Sequence, residues 1–269
     1  MENREDLTQF TTVDTQADPG FFVQFLDAGN ALEDIKSVKQ VMISQLELWH
    51  GLSVLDVGCG TGDDARDLAR LVGEEGRVVG VDFSGAMVAE AKKRHATSGL
   101  PVEFVEGNAQ NLQFAEASFD RCRTERMLMH LDDPEQALAE MVRVVRPGGR
   151  IVVFDFDWDM VFTDSPYKEM TRKIVHTFSD GLKHGWIGRS LPRLCQAAGL
   201  VEVTCVPHAV RLYYVFAHRL FDGHLAKAQA AGVLSANELR GWWEHLEKAE
   251  IAGQFHLGIL GFVVGGRKL

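Results

Sequence analysis

Short apolar runs alternate with segments of helical periodicity between residues 50 and 160. The runs are rich in valine, leucine, isoleucine and phenylalanine, which is typical of strands buried on both faces of a sheet. The strands predicted in this way are residues 53–57, 77–81, 102–105, 118–123 and 151–156. Helices are predicted at residues 63–72, 84–96 and 133–146, where apolar side chains recur at three- and four-residue spacing. The alternation predicts an α/β fold with a parallel, doubly wound sheet.

The pattern changes on both sides of this central part. Before it, a Pro-Gly breaker precedes an apolar cluster at helical spacing, formed by Phe21, Phe22, Phe25 and Leu26, and a longer helix is predicted over residues 31–49. After it, the predicted helices are residues 166–183, 189–198, 213–231 and 235–252, and the predicted strands are residues 200–212 and 254–265. The first short helix either packs on the core or forms a lid over a ligand pocket.

These patterns predict three parts of one compact domain. Residues 1–50 form an N-terminal helical lid, residues 51–160 form the ligand-binding core, and residues 161–269 complete the sheet and carry helical insertions that cap the substrate. A chain of 269 residues with 46% hydrophobic content is long enough for one substantial core of this kind.

Charge and cysteine usage narrow the class of protein further. The net charge is −10, from 28 basic and 38 acidic residues, so neither a nucleic-acid partner nor a membrane-surface helix is favoured. The four cysteines show no C-x-x-C spacing, so no metal is predicted, and scattered thiols fit a reducing compartment. The polar N-terminus has no signal-peptide core, and no apolar run is long enough to insert into a membrane. We expect a cytoplasmic monomer or homodimer.

The glycine-rich turn after the first strand indicates the ligand. Glycines at positions 58, 60 and 62 allow backbone to approach a ligand closely, next to the free amides of a helix N-terminus. A P-loop would need Gly-Lys-Ser/Thr, and a dinucleotide turn would need a glycine where Asp63 stands. Asp63 and Asp64, with Asp56 in the strand, therefore predict a ligand without phosphate that carries positive charge. Asp82, which ends the second strand, is placed to bind a ribose. S-adenosylmethionine meets all of these requirements.

At this point the sequence resembles the class I S-adenosylmethionine-dependent methyltransferases, closest to the ubiquinone/menaquinone and small-molecule group. Val54–Gly62 resembles the first motif of that family, Val79–Ser84 with Met87 the second, and residues 106–120 the third. His130-Leu131 with Asp133-Pro134, and Arg143–Gly149, complete the set in the correct order and spacing. The resemblance covers about residues 50–156. It implies a Rossmann-like doubly wound sheet of seven strands, mostly parallel, in which residues 254–265 form a final antiparallel strand.

The resemblance also implies which residues bind S-adenosylmethionine, whose product is S-adenosylhomocysteine. Gly58 and Gly60 would lie under the amino-acid end of the cofactor, with Asp56 near it, while Asp82 would bind the ribose. Phe83 would pack on the adenine, and Asn108 and Ala109 would meet its edge. Asn108 departs from the family's commoner aspartate. The full set of expected cofactor-binding residues is Asp56, Gly58, Gly60, Asp82, Phe83, Asn108, Ala109 and Glu125.

The methyl acceptor has no comparable signature. We expect its pocket beyond the carboxyl ends of the fourth and fifth strands, with His130 and Asp157 as candidate catalytic residues. The candidate substrate-binding residues are Phe21, Phe22, Phe25, Arg126, Asp155 and Trp158. Each has a simpler alternative: His130 as a structural histidine, Arg126 as the partner of a core acid, and Asp155–Asp159 as a solvated strand end with Trp158 in the core.

The sequence thus predicts an enzyme that moves a methyl group in line from S-adenosylmethionine to a small, apolar or aromatic organic acceptor. Transfer to oxygen, nitrogen or carbon remains open, as does the need for a general base. An arsenite methyltransferase is disfavoured because Cys59 and Cys122 form no cluster at the acceptor mouth. The alternatives are a dinucleotide-binding oxidoreductase on the same fold and a binding module without catalytic activity.

Overall fold

The computed structural model describes residues 10–15 and 18–269 and contains a seven-stranded sheet in that part of the chain. The strands are β1 Ser53–Val57, β2 Arg77–Asp82, β3 Val102–Glu106, β4 Phe119–Glu125, β5 Val145–Thr163, β6 Leu200–Arg211 and β7 Leu257–Lys268. Their order is β3-β2-β1-β4-β5-β7-β6, and β7 runs antiparallel to both of its neighbours. The first five strands pair in parallel, so the predicted Rossmann-like fold and its antiparallel final strand are confirmed.

The helices that cover the sheet lie close to their predicted positions. They are α1 Pro19–Asn30, α2 Glu33–Leu46, α3 Asp63–Val72, α4 Gly85–His95, α5 Pro134–Val144, α6 Lys168–Asp180, α7 Ile187–Ala197, α8 Tyr214–Ala230 and α9 Ala236–Ile251. Two short 3₁₀ turns, Phe10–Thr15 and Leu128–His130, lie near the carboxyl edge of the sheet. None of the described helices is long and apolar enough to cross a membrane.

The parallel strands are buried because helices cover them. Val54, Leu55 and Val57 of β1 are at most 1% exposed, which explains the uninterrupted apolar runs of the sequence. Helix α3 packs on β1 and β2, and α4 packs on β2 and β3. Helices α2 and α7 cover β5, β6 and β7. The carboxyl ends of β1, β2 and β4 therefore meet at one open edge, where the glycine turn lies.

Strand β5 differs most from its predicted bounds, because it runs over 19 residues. It includes Arg146–Gly149, although the sequence pattern of these four residues is typical of a turn, and it continues beyond Phe156 to Thr163. Its extension pairs with β7, with a register shift between Asp157 and Val161. Two glycines of β7 make room for the aromatic side chains on this pairing, since a Cβ at Gly258 or Gly261 would lie 2.5 Å from a phenylalanine ring carbon. The boundary that we placed at residue 160 falls inside this strand.

Two further bounds also change. Helix α2 ends at Leu46 instead of continuing to residue 49, because Glu47 adopts a left-handed conformation with φ of 49°. Strand β7 begins three residues later than expected and ends at Lys268. Both shifts are at element ends, where local sequence patterns are weakest.

The helices inserted after β5 pack on one another and on the end of β5. Phe178 of α6 meets Phe221 of α8 with ring centroids 4.6 Å apart. Trp242 of α9 is buried, and its indole nitrogen donates to Thr171 Oγ1 of α6 over 3.2 Å. The cap thus extends the apolar core of the sheet.

Candidate active site

The turn after β1 has a backbone shape that glycine alone adopts readily. Gly58, Gly60 and Gly62 have φ values of 75°, 51° and 81°. A Cβ at Gly58 would lie 2.7 Å from Met127 Cγ, and one at Gly62 would lie 2.5 Å from the Phe104 ring. The amides of Gly58 and Cys59 donate to Val81 O over 2.7 and 2.9 Å, which holds the turn against β2. The result is a bare backbone cradle at the sheet edge.

Asp82 lies beside this cradle and is held by main-chain amides. Its Oδ2 accepts from Gly60 N over 2.8 Å, and its Oδ1 accepts from Ser84 N over 3.0 Å. Burial raises the pKa of the Asp82 carboxyl, although these two hydrogen bonds oppose the shift. Phe83, the next residue, is 63% exposed, so its ring has a free face. The cradle and this turn together present a carboxylate and an aromatic face to one space.

A cavity of about 470 Å³ opens over the cradle, within the usual size range of small-ligand sites. All eight residues expected to bind cofactor line it: Asp56, Gly58, Gly60, Asp82, Phe83, Asn108, Ala109 and Glu125. Asn108 Oδ1 also accepts from Gln110 N over 2.9 Å, which shapes the turn after β3. The cavity continues away from the cradle into an apolar chamber, lined by Phe10, Phe25, Met129, Phe156, Trp158, Phe178, Phe216 and Leu220.

Acidic side chains below the cradle are paired with cations, which corrects one step of the sequence argument. Asp64 bonds Lys39 over 2.6 Å and Arg123 over 3.1 Å. Asp63 contacts Arg66 and Arg94 over 3.3 and 3.2 Å. Neither carboxylate is a free negative charge at the helix terminus. The positive charge of the ligand therefore does not follow from these two residues, because α2, β4 and α4 supply their counter-ions.

Arg123 is the centre of this buried network. Its side chain is 4% exposed, lies 3.7 Å from Asp56 and also contacts Asp64 and Glu125. Burial raises the pKa of Asp56 to about 6, against the opposing effect of Arg123. Burial alone would raise the pKa of Asp64, but Arg123 and Lys39 reverse the shift and hold it well below its usual range. The Arg123 Nε is buried and lacks a hydrogen-bond partner among the described residues.

Glu125 and Arg126 at the end of β4 are mutually paired. Arg126 Nη2 lies 2.8 Å from Glu125 Oε1, and the same nitrogen donates to Asn30 Oδ1 over 2.6 Å. Both residues line the cavity, yet their charges are directed at each other. The alternative in which Arg126 pairs with a protein acid fits these contacts, while its predicted contact with the substrate stays a prediction.

His130 lines the cavity at the end of the Leu128–His130 turn, with the Phe10 ring 5.3 Å away. Burial, assisted by the nearby Lys183 ammonium, lowers its pKa to about 4, so the imidazole is neutral near pH 7. Its Nδ1 is buried and has no hydrogen-bond partner in the part of the chain that the structure describes. An unpaired buried nitrogen of this kind costs about 1–3 kcal/mol.

Asp155 and Asp157 do not line the cavity, which corrects their expected positions. Asp155 is fully buried and accepts from Met129 N over 3.3 Å and from Phe156 N over 3.1 Å. Burial raises its pKa to about 7, despite these hydrogen bonds. Asp157 is also fully buried, and its two carboxylate oxygens accept from Nε and Nη2 of Arg189. Asp155 thus supports the turn that carries His130, and Asp157 anchors α7 to β5.

The aromatic candidates divide between the cavity and the core. Phe25 lines the cavity and stacks on Phe216 with centroids 5.0 Å apart. Phe22 is completely buried, and Phe21 lies beneath the Arg219 guanidinium at 4.6 Å, so neither reaches the cavity. Trp158 does line it, and its indole nitrogen donates to Met129 Sδ over 3.0 Å. Of the four apolar residues predicted on one face of α1, Phe25 and Leu26 line the cavity, whereas Phe21 and Phe22 do not.

Sequence reasoning missed the residues that close the cavity from outside. Phe10 and Val13 of the 3₁₀ turn Phe10–Thr15, which we call the covering segment, line the cavity. So do Phe178 of α6 and Phe216 of α8. The local signal for the covering segment was a run of apolar residues at three-residue spacing in a mostly polar N-terminal stretch: Leu7, Phe10 and Val13. The expected lid residues 1–9, 16 and 17 lie outside the described part of the chain.

Comparisons with known proteins define the family. A model of a methyltransferase domain matches residues 54–149. An uncharacterised 37.1 kDa protein in transposon Tn4556 of Streptomyces fradiae is 38% identical over 247 residues, which cover 90% of this chain and 70% of that protein. A 2-phytyl-1,4-naphtoquinone methyltransferase of Thermosynechococcus vestitus is 43% identical over 119 residues, 44% of this chain and 52% of that protein. The chain thus spans about half the length of that relative.

A solved structure extends the likeness to the whole fold. A putative methyltransferase from Bacillus halodurans superimposes with a TM-score of 0.59 at 17% identity. The match covers 86% of this chain and 99% of that chain. This match shows the same fold. The sequence matches show that the chain belongs to the class I S-adenosylmethionine-dependent methyltransferases. It is a methyltransferase enzyme, and its cofactor is S-adenosylmethionine.

Proposed function

We propose that this enzyme methylates a small, uncharged, largely apolar or aromatic organic molecule that binds in the apolar chamber. The observation that carries the proposal is the continuity of the cavity, which runs from the glycine cradle to a chamber walled by aromatic side chains. A methyl donor in the cradle and an acceptor in the chamber would then share one enclosed space. Positioning of this kind supplies much of the acceleration of an in-line transfer.

The cradle residues fit S-adenosylmethionine, whose sulfonium supplies the activated methyl group. Gly58 and Gly60 present bare backbone to the cavity, because a Cβ would lie 2.7 Å from Met127 Cγ or 3.2 Å from Leu26 Cδ1. We assign them to the amino-acid end, with Asp56 and Glu125 nearby. Asp82 retains acceptor capacity for ribose hydroxyls beyond its two amide bonds. The exposed Phe83 ring, with Asn108 and Ala109 opposite, would hold the adenine.

Pairing of the charged groups argues for an uncharged acceptor. Arg126 is paired with Glu125, and Lys183 at the cavity wall is paired with Asp132 over 2.6 Å. A charged acceptor would lose its hydration in the chamber and gain no free counter-charge from these residues. A neutral molecule incurs no such cost, and burial of its apolar surface favours binding.

The chamber walls favour a flat, aromatic molecule over a flexible one. Phe25 and Phe216 present a stacked pair, and Trp158 meets Phe178 with centroids 5.0 Å apart. Rigid aromatic faces bind rings by offset stacking and edge contacts. The molecule named for one relative contains a flat naphthoquinone ring system of this kind, to which a flexible phytyl chain is attached. Residues 1–50 and the insertions after residue 160 would act as lid and cap, because both supply chamber walls.

His130 is our candidate for proton transfer where the accepting atom carries a proton. It is neutral near pH 7 and therefore keeps a nitrogen lone pair free to accept. Removing a general base typically lowers kcat by about 100-fold or more. We expect His130→Phe to show this loss with an O–H acceptor while its affinity for S-adenosylhomocysteine stays unchanged. Equal kcat values for the variant and the parent would leave His130 a structural role only.

The acceptor proposal is tested by matched compounds. Release of S-adenosylhomocysteine would be followed with naphthols and naphthoquinols, and with the same ring systems that carry a carboxylate or an ammonium group. We expect turnover with neutral members and a loss of about tenfold or more in kcat/KM for the charged ones. Faster turnover of the charged members would contradict the proposal.

A pair of variants locates the acceptor. Phe216→Ala removes a chamber wall, whereas Phe114→Ala removes an aromatic ring that packs on Phe119 and does not line the cavity. We expect Phe216→Ala alone to raise KM for the acceptor about tenfold, with the affinity for S-adenosylhomocysteine retained. An unchanged KM would place the acceptor elsewhere.

A further inference from the structure

The covering segment lies across the cavity and contacts both of its ends. Phe10 and Val13 line the cavity, and Val13 is only 2% exposed. Phe10 also packs edge-on against Phe22 of α1, with centroids 5.1 Å apart, and near the His130 ring. These side chains thus form part of the cavity wall on this side.

One carboxylate ties this segment to the turn that carries Asp82. Asp14 accepts from Gly85 N over 2.9 Å and from Ala86 N over 3.2 Å, and Ser84 Oγ donates to it. Ser84 in turn accepts from Met87 N over 3.2 Å, so Asp14 and Ser84 together cap the N-terminus of α4. A carboxylate in this position also interacts favourably with the helix dipole.

The cap and the ribose-type acid share one short turn. Ser84 N donates to Asp82, while the next two amides donate to Asp14. A ligand that fixes Asp82 and Phe83 therefore fixes the amides that Asp14 requires. Because such coupling is reciprocal, closure of the covering segment must strengthen cofactor binding as much as the cofactor strengthens closure.

We propose that Asp14 is a positioning residue that fastens the covering segment over the bound cofactor, so that the cofactor and its product exchange only when this fastening opens. The proposal rests on the cofactor position given under the proposed function. Asp14 does not line the cavity, so it acts through Phe10 and Val13 and not through contact with the ligand. Although partial burial opposes ionisation, the bonds from Ser84, Ala86 and Gly85 lower the pKa of Asp14, which is therefore charged at neutral pH.

The experiment compares the release of S-adenosylhomocysteine from the full chain and three variants by stopped-flow displacement. Asp14→Ala removes the cap, and Asp14→Asn keeps an oxygen that accepts from backbone amides. Asp18→Ala is the matched control, because Asp18 caps α1 through Gly20 N over 2.9 Å and does not touch the Asp82 turn. We expect release to accelerate about tenfold in Asp14→Ala and less than about threefold in the other two.

Hydrogen exchange gives a second readout that does not depend on release. In the parent, exchange at the Gly85 and Ala86 amides should slow when S-adenosylhomocysteine is added, and in Asp14→Ala this protection should be lost. If Asp14→Ala does not fold, which its thermal midpoint without ligand would show, the exchange data of the parent decide. Unchanged exchange in the parent, or equal release rates for Asp14→Ala and Asp18→Ala, would overturn the proposal.

The outcomes separate this inference from the proposed function. Failure of the parent to bind S-adenosylhomocysteine would remove the cofactor position itself. Tight binding to the parent with no effect of Asp14→Ala would remove only the role of Asp14. Neither measurement uses an acceptor, so the acceptor chemistry does not enter the result.

Discussion

The two ends of the cavity are built in different ways. The cofactor end consists of strand ends and the turns that directly follow them, with residues 56–64, 82–84 and 106–110 each acting as a short local unit. The acceptor end is assembled from single side chains as far apart as Phe10, Phe178 and Ile259. A ligand site made of local units can be recognised in the sequence as a motif. A site made of side chains that are far apart in the chain has no motif, and only the amino-acid composition of the surrounding segments indicates it.

The difference extends to energetics. Polar groups at the cofactor end are mutually bonded over short distances and tolerate little change, whereas the chamber is held by aromatic contacts that adapt to substitution. We therefore expect changes at the cofactor end to affect folding and cofactor binding together. Changes at the acceptor end should alter acceptor use alone.

The largest effect is expected from Arg123→Met. Removal of this buried cation leaves Asp56 and Glu125 in the interior without it, so we expect a loss of about 3–5 kcal/mol in the free energy of unfolding. Arg77→Met is the control, since its ion pair with Glu103 is exposed and should change stability by less than about 1 kcal/mol. Denaturant unfolding measures both. Equal losses in the free energy of unfolding for Arg123→Met and Arg77→Met would show that the buried network stabilises the protein no more than an exposed ion pair does.

A smaller loss is expected from Gly62→Ala. The new Cβ would lie 2.5 Å from Phe104 at a φ of 81°, which combines overpacking with backbone strain and should cost about 3 kcal/mol. Gly99→Ala introduces the strain alone, because no atom lies within 4 Å of its Cβ at a φ of 64°, and should cost about 1 kcal/mol. Thermal unfolding of both variants measures the two losses of stability, and their difference gives the cost of overpacking against Phe104. A cost for Gly62→Ala no greater than that for Gly99→Ala would mean that the turn is loosely packed.

A pH dependence should come from Asp155, which lies beneath the turn of His130. Its pKa of about 7 in the folded protein is above the ordinary value of 3.8, so the folded state holds the extra proton between these values. The contribution of Asp155 to stability should therefore fall by about 2 kcal/mol as the pH rises from 5 to 7, and level off above pH 7. Because the lowered pKa of His130 acts in the opposite direction over the same range, the measured quantity is the difference in free energy of unfolding between the parent and Asp155→Asn, which should shrink by this amount. The difference between the parent and Asp159→Asn, four residues further along β5 and half-buried, should show no such change. A parent–Asp155→Asn difference that is independent of pH would assign the titration to another group.

The smallest effect is expected at the acceptor end, from Trp158→Phe. The exchange keeps a smaller aromatic ring against Phe178 and removes the second ring of the indole together with its donor to Met129 Sδ. Stability should fall by about 1 kcal/mol, since the lost ring borders the cavity and the thioether is a weak acceptor. KM for the acceptor should change by about threefold, and the affinity for S-adenosylhomocysteine should not change. A large loss of cofactor affinity would show that the two ends are coupled more tightly than we describe.

The fold and the cofactor end were predictable because their signals are local. Apolar runs predict strands that are buried on both faces, and the glycines predict the turn whose φ values the structure shows. The paired states of Asp63 and Asp64 were not predictable. Their partners Arg94, Lys39 and Arg123 belong to other helices and strands, and no local pattern indicates that they meet.

The same reasoning explains the acceptor residues. Asp155 and Asp157 alternate along β5, but the sequence does not show that the Leu128–His130 turn and α7 pack against them. Phe22 and Phe25 share an apolar helix face, yet only Phe25 reaches the cavity, because the covering segment and α8 decide which part of that face is enclosed.

By itself, the sequence determined the order of strands and helices, the glycine turn and the carboxylate that follows the second strand. These features depend on residues close together in the chain, whose backbone preferences and burial patterns act locally. The tertiary structure alone decided which acids are neutralised, which aromatic side chains enclose the chamber, and that Asp14 reaches the cap of α4. Each of these depends on contacts between residues far apart in sequence, and folding of the whole chain brings them together.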